Sequence, residues 1–290
     1  MEEKDIDGEN NKLIRNTFII VVVLMACLLG ISMFVRNSSH TIVNDVDDKK
    51  SLNTSVVFND IKIIANDDIF SHDALQREDE NSGLVKYLEA NIKAGDTVVY
   101  VGNSVGIEML LMTKLVGQSG RVYGYNPYEK YTSAIMQSAK ENGFDARLKL
   151  DTYSIADSIF DGLLVYKNNF PILSGELRQA TYKIPAGYSA MDVRVSSLDA
   201  LLPNVQNVNW LKIDSRENIK VLNGAENLIK RSADVIIILD RFTDKEVDGI
   251  DNFMHKFELK SFIIQDDGTL IPSDIKTLNQ NKVNTVVLKK

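Results

Sequence analysis

Cysteine and histidine are scarce in this chain. Cys27 is the one cysteine among 290 residues, and the three histidines are His40, His72 and His255. A lone cysteine can form neither an internal disulfide nor a cysteine-rich metal site. The histidines do not have the i, i+4 spacing of a metal-binding pair on a helix. We therefore expect the chain to bind no metal.

An excess of positive charge is also lacking. The formal net charge is −7, and lysines and arginines form no basic stripe along the sequence. Proteins that bind nucleic acids neutralise phosphates with such stripes, so we expect no nucleic-acid partner. Hydrophobic residues make up 44% and charged residues 25% of the chain, which is typical of a globular protein with a substantial core.

One long segment carries no charge at all, TFIIVVVLMACLLGISMFV at residues 17–35. As a helix rising about 1.5 Å per residue it spans about 28 Å, close to the thickness of a bilayer's hydrocarbon core. A cleaved signal peptide normally has a shorter apolar region, of about 7–15 residues. A lipoprotein site at LMAC (24–27) would leave an apolar mature N-terminus. The segment predicts an uncleaved, single-pass transmembrane anchor, with the lipid bilayer as its partner.

The charges that flank this segment predict its orientation. Lys12 and Arg15 precede it and Arg36 follows it. Because positive charge is retained on the cytoplasmic side, this balance favours a cytoplasmic N-terminus and a globular part outside the cytoplasm.

The polar stretches around the anchor define the domain organisation. Residues 1–16 are a short polar N-terminal segment. Residues 36–54 are polar and charged with little periodicity, which is typical of a flexible tether. We expect the globular domain to occupy residues 55–290.

In the first half of this domain, short apolar runs alternate with amphipathic stretches. TVVYVG (97–102), RVYGY (121–125) and ARLKL (146–150) are predicted strands, separated by predicted helices over 107–117 and 131–143. This alternation predicts an α/β domain with a Rossmann-like, doubly wound and mostly parallel sheet.

The second half resumes the alternation after a different middle segment. LLVYKN (163–168), ATYKIP (180–185) and MDVRVSSL (191–198) alternate apolar and polar residues, which indicates a meander or an insertion. The remaining predicted elements are strands at 209–214, 234–240, 258–264 and 282–289 and helices at 217–232 and 243–257, with Asn223-Gly224 marking a kink or a break.

The first candidate for a ligand-binding loop is GNSVG, residues 102–106. Its spacing is neither the G-x-G-x-x-G of dinucleotide-binding proteins nor that of a P-loop. Gly102 and Gly106 would let the backbone approach a ligand, and the following helix would point free N–H groups at it. Two glycines after a strand are equally compatible with a simple tight turn. Tyr100 stands where such loops usually carry an acid.

Two polar residues at strand ends are further candidates. Asn126 follows Gly106 by 20 residues, where a carboxylate normally binds ribose hydroxyls. An amide has one acceptor oxygen and binds more weakly, and Asn before Pro is also a common turn residue. Asp214 ends a predicted strand, where it would hold a substrate hydroxyl, a metal or the N-terminus of the next helix.

With these residues in view, the globular part resembles the FkbM family of S-adenosylmethionine-dependent methyltransferases. The similarity of order and spacing covers about Val56 to Lys290 and lies in IKAGDTVVYVGNSVG (92–106), GRVYGYNP (120–127), VSSLDALLP (195–203), WLKID with VLNGA (210–214 and 221–225), and NTVVLKK (284–290). The resemblance implies a class I methyltransferase fold, S-adenosylmethionine as the cofactor, and methyl transfer to a hydroxyl or similar group of a small molecule or glycan.

The resemblance also implies roles for individual residues. Asp214 would be the catalytic residue near the acceptor. Cofactor binding would fall to the glycine loop and its neighbours, namely Tyr100, Gly102, Asn103, Ser104, Gly106 and Asn126.

The sequence departs from the family pattern at the charged positions. Tyr100 replaces the acid of the first motif, Asn103 and Ser104 replace Ala-Asn, and Asn126 replaces the ribose-binding glutamate. The segment after Asp214 is one residue shorter. Loss of two acids would weaken cofactor binding by about 10² to 10⁴.

Three functions remain open at this point. The chain is a membrane-anchored methyltransferase with an eroded cofactor site, or a catalytically inactive binding or scaffolding protein of the same fold. The third function is binding of a different nucleotide or a sugar, with Tyr100 stacking on a ring of the ligand.

Overall fold

The computed structural model describes residues 54–66, 68, 71, 75, 82–102, 104–168, 175–240, 243–280 and 285–290, and these belong to one compact unit. Among them, no helix has the length and apolar character needed to cross a bilayer. The predicted anchor at residues 17–35 lies outside the described residues.

The described strands are β1 (Thr54–Phe58), β2 (Ile61–Ala65), β3 (Thr97–Gly102), β4 (Arg121–Tyr125), β5 (Leu148–Asp151), β6 (Ser154–Ile155), β7 (Phe160–Lys167), β8 (Glu176–Gln179), β9 (Tyr188–Ser196), β10 (Trp210–Asp214), β11 (Ile236–Asp240), β12 (Lys260–Ile264), β13 (Leu270–Pro272) and β14 (Thr285–Lys289). The described α-helices are α1 (Gly83–Asn91), α2 (Ile107–Leu115), α3 (Glu129–Glu141), α4 (Leu198–Leu201), α5 (Asn218–Asn223), α6 (Glu226–Arg231), α7 (Val247–Phe257) and α8 (Ile275–Gln280).

The main sheet has eight strands in the order β13-β12-β14-β11-β10-β3-β4-β5. Strands β5, β4, β3, β10 and β11 are parallel to their neighbours in this row, whereas β14 is antiparallel to both β11 and β12. The parallel part follows the 3-2-1-4-5 order of a Rossmann-like fold, so the predicted doubly wound, mostly parallel sheet is confirmed. The order reverses between β3 and β10, which makes their carboxyl ends the expected ligand crevice.

Helices cover both faces of this sheet because its central strands are apolar on both sides. Val98 and Tyr100 of β3 pack into one core with residues of α1, α2 and α3. Val99 and Val101, which point to the opposite face, pack into a second core with residues of α5, α6 and α7. Continuous burial along β3 and β10 is what two-sided coverage of a parallel sheet requires.

A second sheet of four strands, in the order β6-β9-β7-β8, is inserted between β5 and β10. Strands β7, β8 and β9 are antiparallel, which explains the alternating sequence pattern of the middle segment. The stretch 180–185 forms a turn and a connection instead of extending a strand, and β8 precedes it at Glu176–Gln179. Tyr182 N–H donates to Gln179 O, which closes that turn.

The single tryptophan lies at the centre of the main sheet. Trp210 begins β10, is 2% exposed, and donates from Nε1 to Asp96 Oδ2 at 2.8 Å. Its ring packs edge-on against Tyr87 of α1, with ring centroids 5.9 Å apart.

Candidate functional site

Close packing surrounds both glycines of the predicted loop. Gly106 precedes α2 with a φ of 82°, and a Cβ there would lie 2.6 Å from the Ile135 side chain. A Cβ on Gly102 would lie 2.9 Å from the ring of Tyr100. Ser104 Oγ accepts from Gly106 N–H at 3.3 Å, and Asn103 lies outside the described residues. Glycine at both positions is therefore explained by packing and backbone conformation alone.

The Tyr100 ring is buried beneath this loop, with 1% of its surface exposed. Its hydroxyl donates to Glu108 Oε2 at 3.3 Å. Tyr100 is paired in register with Lys212 of β10, so both side chains lie on the same face of the sheet. No face of the ring is available for stacking on a ligand.

Asn126 is equally enclosed, with 1% exposure. Its Nδ2 donates to Ser104 O at 2.8 Å, and its Oδ1 accepts from Tyr128 N–H at 3.0 Å. The amide thus ties the carboxyl end of β4 to the glycine loop. A carboxylate at this position could not donate to the Ser104 carbonyl oxygen.

A buried ionic group that the sequence analysis did not identify lies beside Tyr100. We refer to Tyr100, Glu108, Lys212 and Asp240 as the Lys212 cluster. The Lys212 ammonium is completely buried, lies 2.8 Å from Glu108 Oε2, and contacts the Asp240 carboxylate. Asp240 Oδ1 also accepts from Thr285 Oγ1 at 2.6 Å.

Burial and neighbouring charges shift the pKa values within this cluster. Burial raises the pKa of the Glu108 carboxyl and outweighs the lowering effect of Lys212. Burial lowers the pKa of Lys212, but Asp240 and Glu108 together hold it well above its usual value. The charged form of Lys212 is favoured because several carboxylates attract its ammonium. The charged form of Glu108 is disfavoured because Asp240 and Asp214 also repel it. Burial first, and Glu108 second, raise the pKa of the Tyr100 hydroxyl well above 10.0.

A signal for part of this cluster was present in the sequence. Lysine in the middle of the apolar strand WLKID needs a buried counter-charge. The sequence could not show which acid supplies it, because Glu108 and Asp240 lie on other elements, more than 25 residues away along the chain.

Asp214 ends β10 at the switch point of the sheet. It is 5% exposed and is paired in register with Gly102 on one side and Asp240 on the other. Gly102 and Asp214 line a narrow open cleft, with a volume of about 40 Å³, whose further lining includes Tyr125, Pro127, Tyr153, Ser154, Ser215, Arg216 and Glu217. We call this space the switch-point cleft.

The structure therefore separates the predicted site residues into two groups. Gly102 and Asp214 line the switch-point cleft. The other described residues of the prediction, Tyr100, Ser104, Gly106 and Asn126, are not among its lining residues. In the described part of the chain, no three His, Cys, Asp or Glu side chains are grouped so that they could hold a metal ion.

These residues do not fit S-adenosylmethionine in the manner that the resemblance implies. The acceptor oxygen of Asn126 already binds Tyr128 N–H, and its donor nitrogen binds the loop. The acid of the first motif is replaced by a phenol that is bonded inward to Glu108. Neither position offers a carboxylate to the hydroxyls of a ribose.

No protein-family model and no curated protein matches the sequence. Among solved structures, methyltransferase FkbM from Methylobacillus flagellatus KT is 10% identical, with 76% of this chain and 58% of that chain covered and a TM-score of 0.43. A SAM-dependent O-methyltransferase from Thermotoga maritima is 10% identical, with 82% and 77% covered and a TM-score of 0.42. Aeropyrum pernix fibrillarin, in complex with natively bound S-adenosyl-L-methionine, is 10% identical, with 84% and 86% covered and a TM-score of 0.41. Similarity at this level does not indicate an activity for this chain.

Proposed function

We propose that the chain is a membrane-anchored protein of methyltransferase-like fold that binds a ligand at the carboxyl edge of its sheet without using S-adenosylmethionine. The observation that carries the proposal is the hydrogen bond from Asn126 Nδ2 to Ser104 O, at 2.8 Å. This bond joins the carboxyl end of β4 to the glycine loop, and a ribose would have to enter between these two segments. A ligand of that kind would need to break this bond and rotate a buried amide.

The Lys212 cluster supports the same conclusion. Tyr100 occupies the space beside Gly102, and its hydroxyl is engaged with Glu108. The cluster holds a buried lysine between two acids on different elements, which is a structural arrangement that rigidifies the centre of the sheet. Tyr100 and Asn126 stand where the family pattern has acids, and both side chains make internal hydrogen bonds instead.

Location is the second part of the proposal. The uncharged segment 17–35 supports an anchor, and the basic residues before it support a cytoplasmic N-terminus. The globular domain would then lie outside the cytoplasm, where S-adenosylmethionine is not supplied. A reporter enzyme fused after Lys290 tests this orientation: activity of a reporter that requires export is expected, and activity of a cytoplasmic reporter alone would contradict it.

The alternative function is an active methyltransferase with a weakened cofactor site, acting on a hydroxyl of a small molecule or glycan. One observation favours it, since Gly102 and Asp214 still line an open cleft at the switch point. In that case Asp214 would accept a hydrogen bond from the acceptor hydroxyl.

Calorimetric titration distinguishes the two functions. S-adenosylmethionine is titrated into the full chain, purified in detergent, and folding is monitored by circular dichroism. The proposal expects no binding heat from a folded protein. A dissociation constant below about 100 μM, equivalent to about −5.5 kcal/mol, would establish the methyltransferase alternative instead.

A further inference from the structure

A second cleft lies on the inserted four-stranded sheet. It has a volume of about 550 Å³, and its lining includes Lys167, Arg178, Tyr182, Tyr188 and Arg216. We call it the tyrosine cleft. This volume falls within the range for small-molecule sites, which is about 300–1000 Å³.

Strand register places several of its residues on one face of the sheet. Lys167 of β7 is directly opposite Tyr188 of β9, and Val165 of β7 is directly opposite Glu176 of β8. Side chains at directly opposed positions project to the same side of a sheet. Lys167, Tyr188, Val165 and Glu176 therefore lie on one face of the inserted sheet.

Exposed aromatic surface is concentrated at this cleft. Among the described residues, the large hydrophobic side chains that are exposed are Val57, Ile159, Tyr182, Tyr188 and Ile271, and both tyrosines belong to the cleft. Tyr182 is 37% and Tyr188 is 44% exposed. A tyrosine combines an apolar ring face with a hydrogen-bonding hydroxyl, which suits a ring-shaped ligand that carries hydroxyl groups.

Positive charge accompanies these rings, although the chain as a whole has a net charge of −7. The Arg178 guanidinium lies 5.4 Å from the centroid of the Tyr182 ring and is paired with Glu176. Arg216 is exposed, and within the described residues no carboxylate forms an ion pair with it. A guanidinium can bind a phosphate or a carboxylate through two parallel hydrogen bonds, and Arg216 lines the same cleft as both tyrosines.

Arg216 also connects the two clefts, because it lines both of them. It follows Asp214 by two residues, which is at most about 7 Å of extended chain. Arg216 therefore lies where the two clefts adjoin.

We propose that the tyrosine cleft binds a sugar ring that carries a phosphate or a carboxylate. Arg216 binds the anionic group, and Tyr182 and Tyr188 contact the ring. The inference rests on the proposed function as a binding protein, but it uses a different cleft and needs no S-adenosylmethionine.

The test uses the full chain in a polyoxyethylene detergent, which contains neither sugar nor phosphate. Glucose 6-phosphate, glucuronate, glucose and uridine monophosphate are titrated separately, with binding followed by calorimetry. Glucose 6-phosphate, glucuronate or both are expected to bind with a dissociation constant of about 1 mM or lower. Glucose is expected to bind at least about tenfold more weakly, because it lacks the charge-assisted contact.

Variants identify the residues responsible. Arg216→Gln and Tyr188→Ala are each expected to weaken binding of the anionic sugar about tenfold. Arg147→Gln is the control, because it removes one half-buried arginine that lies against Phe144, away from the cleft. Its affinity should match that of the unmodified chain.

Several results would overturn the inference. These are no binding of either anionic sugar to folded protein, equal binding of glucose and glucose 6-phosphate, tighter binding of uridine monophosphate than of both sugars, or unchanged affinity in Arg216→Gln. A parallel titration with S-adenosylmethionine tests the proposed function separately, so failure of one idea is distinguishable from failure of the other.

Discussion

At the scale of single residues, the amide of Asn126 makes a bond that a carboxylate could not make. It donates to Ser104 O from a position that is almost fully buried. The sequence shows that an acid is missing there. It does not show that the replacement binds the loop, because that depends on how closely β4 and the loop approach each other.

The first prediction concerns this bond. Asn126→Asp removes the donor and places a carboxylate against a carbonyl oxygen in a buried site, which should lower the free energy of unfolding by about 1–3 kcal/mol. Urea denaturation measures the change. Asn204→Asp makes the same chemical change on an exposed residue and should alter stability by no more than about 0.5 kcal/mol. Equal stability of the two variants would contradict the role given to Asn126.

The second prediction concerns Lys212. Lys212→Met leaves Glu108 and Asp240 buried without their shared counter-charge and should destabilise the fold by about 3–5 kcal/mol. Adding Asp240→Asn to this variant removes one of the uncompensated charges and should restore part of the loss. Lys183→Met, at an exposed position, is the control. A change of less than about 1 kcal/mol in Lys212→Met would show that the cluster contributes little to stability.

At the scale of elements, the sequence predicted the strands of the parallel sheet because buried strands are short, continuous apolar runs. It did not predict the hairpin of β1 and β2. Its turn is formed by Asn59 and Asp60, both with positive φ, and it lacks the glycine that usually marks such turns. The hairpin is held to α3 by the Ser138 hydroxyl, which accepts from Ile64 N–H at 2.8 Å, and this contact spans 74 residues.

The break in the predicted helix at 217–232 was anticipated from Asn223-Gly224, and two helices, α5 and α6, are found there. Gly224 also has a packing role that the sequence does not reveal. A Cβ on Gly224 would lie 2.1 Å from Ala156 O, so the backbone of the inserted segment passes directly over this glycine.

The third prediction separates two reasons for glycine at a helix terminus. Gly106 and Gly143 both have positive φ, but a Cβ on Gly143 would meet nothing within 4 Å. Gly143→Ala should therefore cost about 1 kcal/mol from backbone strain alone. Gly106→Ala should cost about 1–3 kcal/mol more, because the added methyl collides with Ile135. Thermal or urea unfolding of both variants measures the difference, and equal values would show that Ile135 moves aside freely.

At the scale of the whole molecule, buried tyrosines set the response to alkaline pH. Burial raises the pKa of Tyr87 to about 12, and it raises the pKa values of Tyr100, Tyr125 and Tyr131 further. The folded state therefore keeps these protons at pH values where the unfolded state has lost them. Their contribution to stability is complete below pH 10 and is lost as the pH rises through the folded-state pKa values.

The fourth prediction follows from this loss of stability at high pH. The urea midpoint should fall as the pH rises from 10 to 12, and one proton can contribute at most about 1.4 kcal/mol per pH unit. Tyr100→Phe removes one of the titrating groups, so this variant should lose less stability over the same pH interval. A midpoint that rises with pH, or an identical fall in the variant, would contradict the account.

Trp210 provides the means to follow all of these measurements. It is the chain's single indole and lies on the central strand, enclosed and bonded to Asp96. Its fluorescence should shift to longer wavelength when the start of β10 opens to water, which gives an optical signal for unfolding of the main sheet. Asp214 is four residues further along the same strand, about 13 Å away. Emission from Trp210 thus monitors the strand that ends at the switch-point cleft, without an added dye.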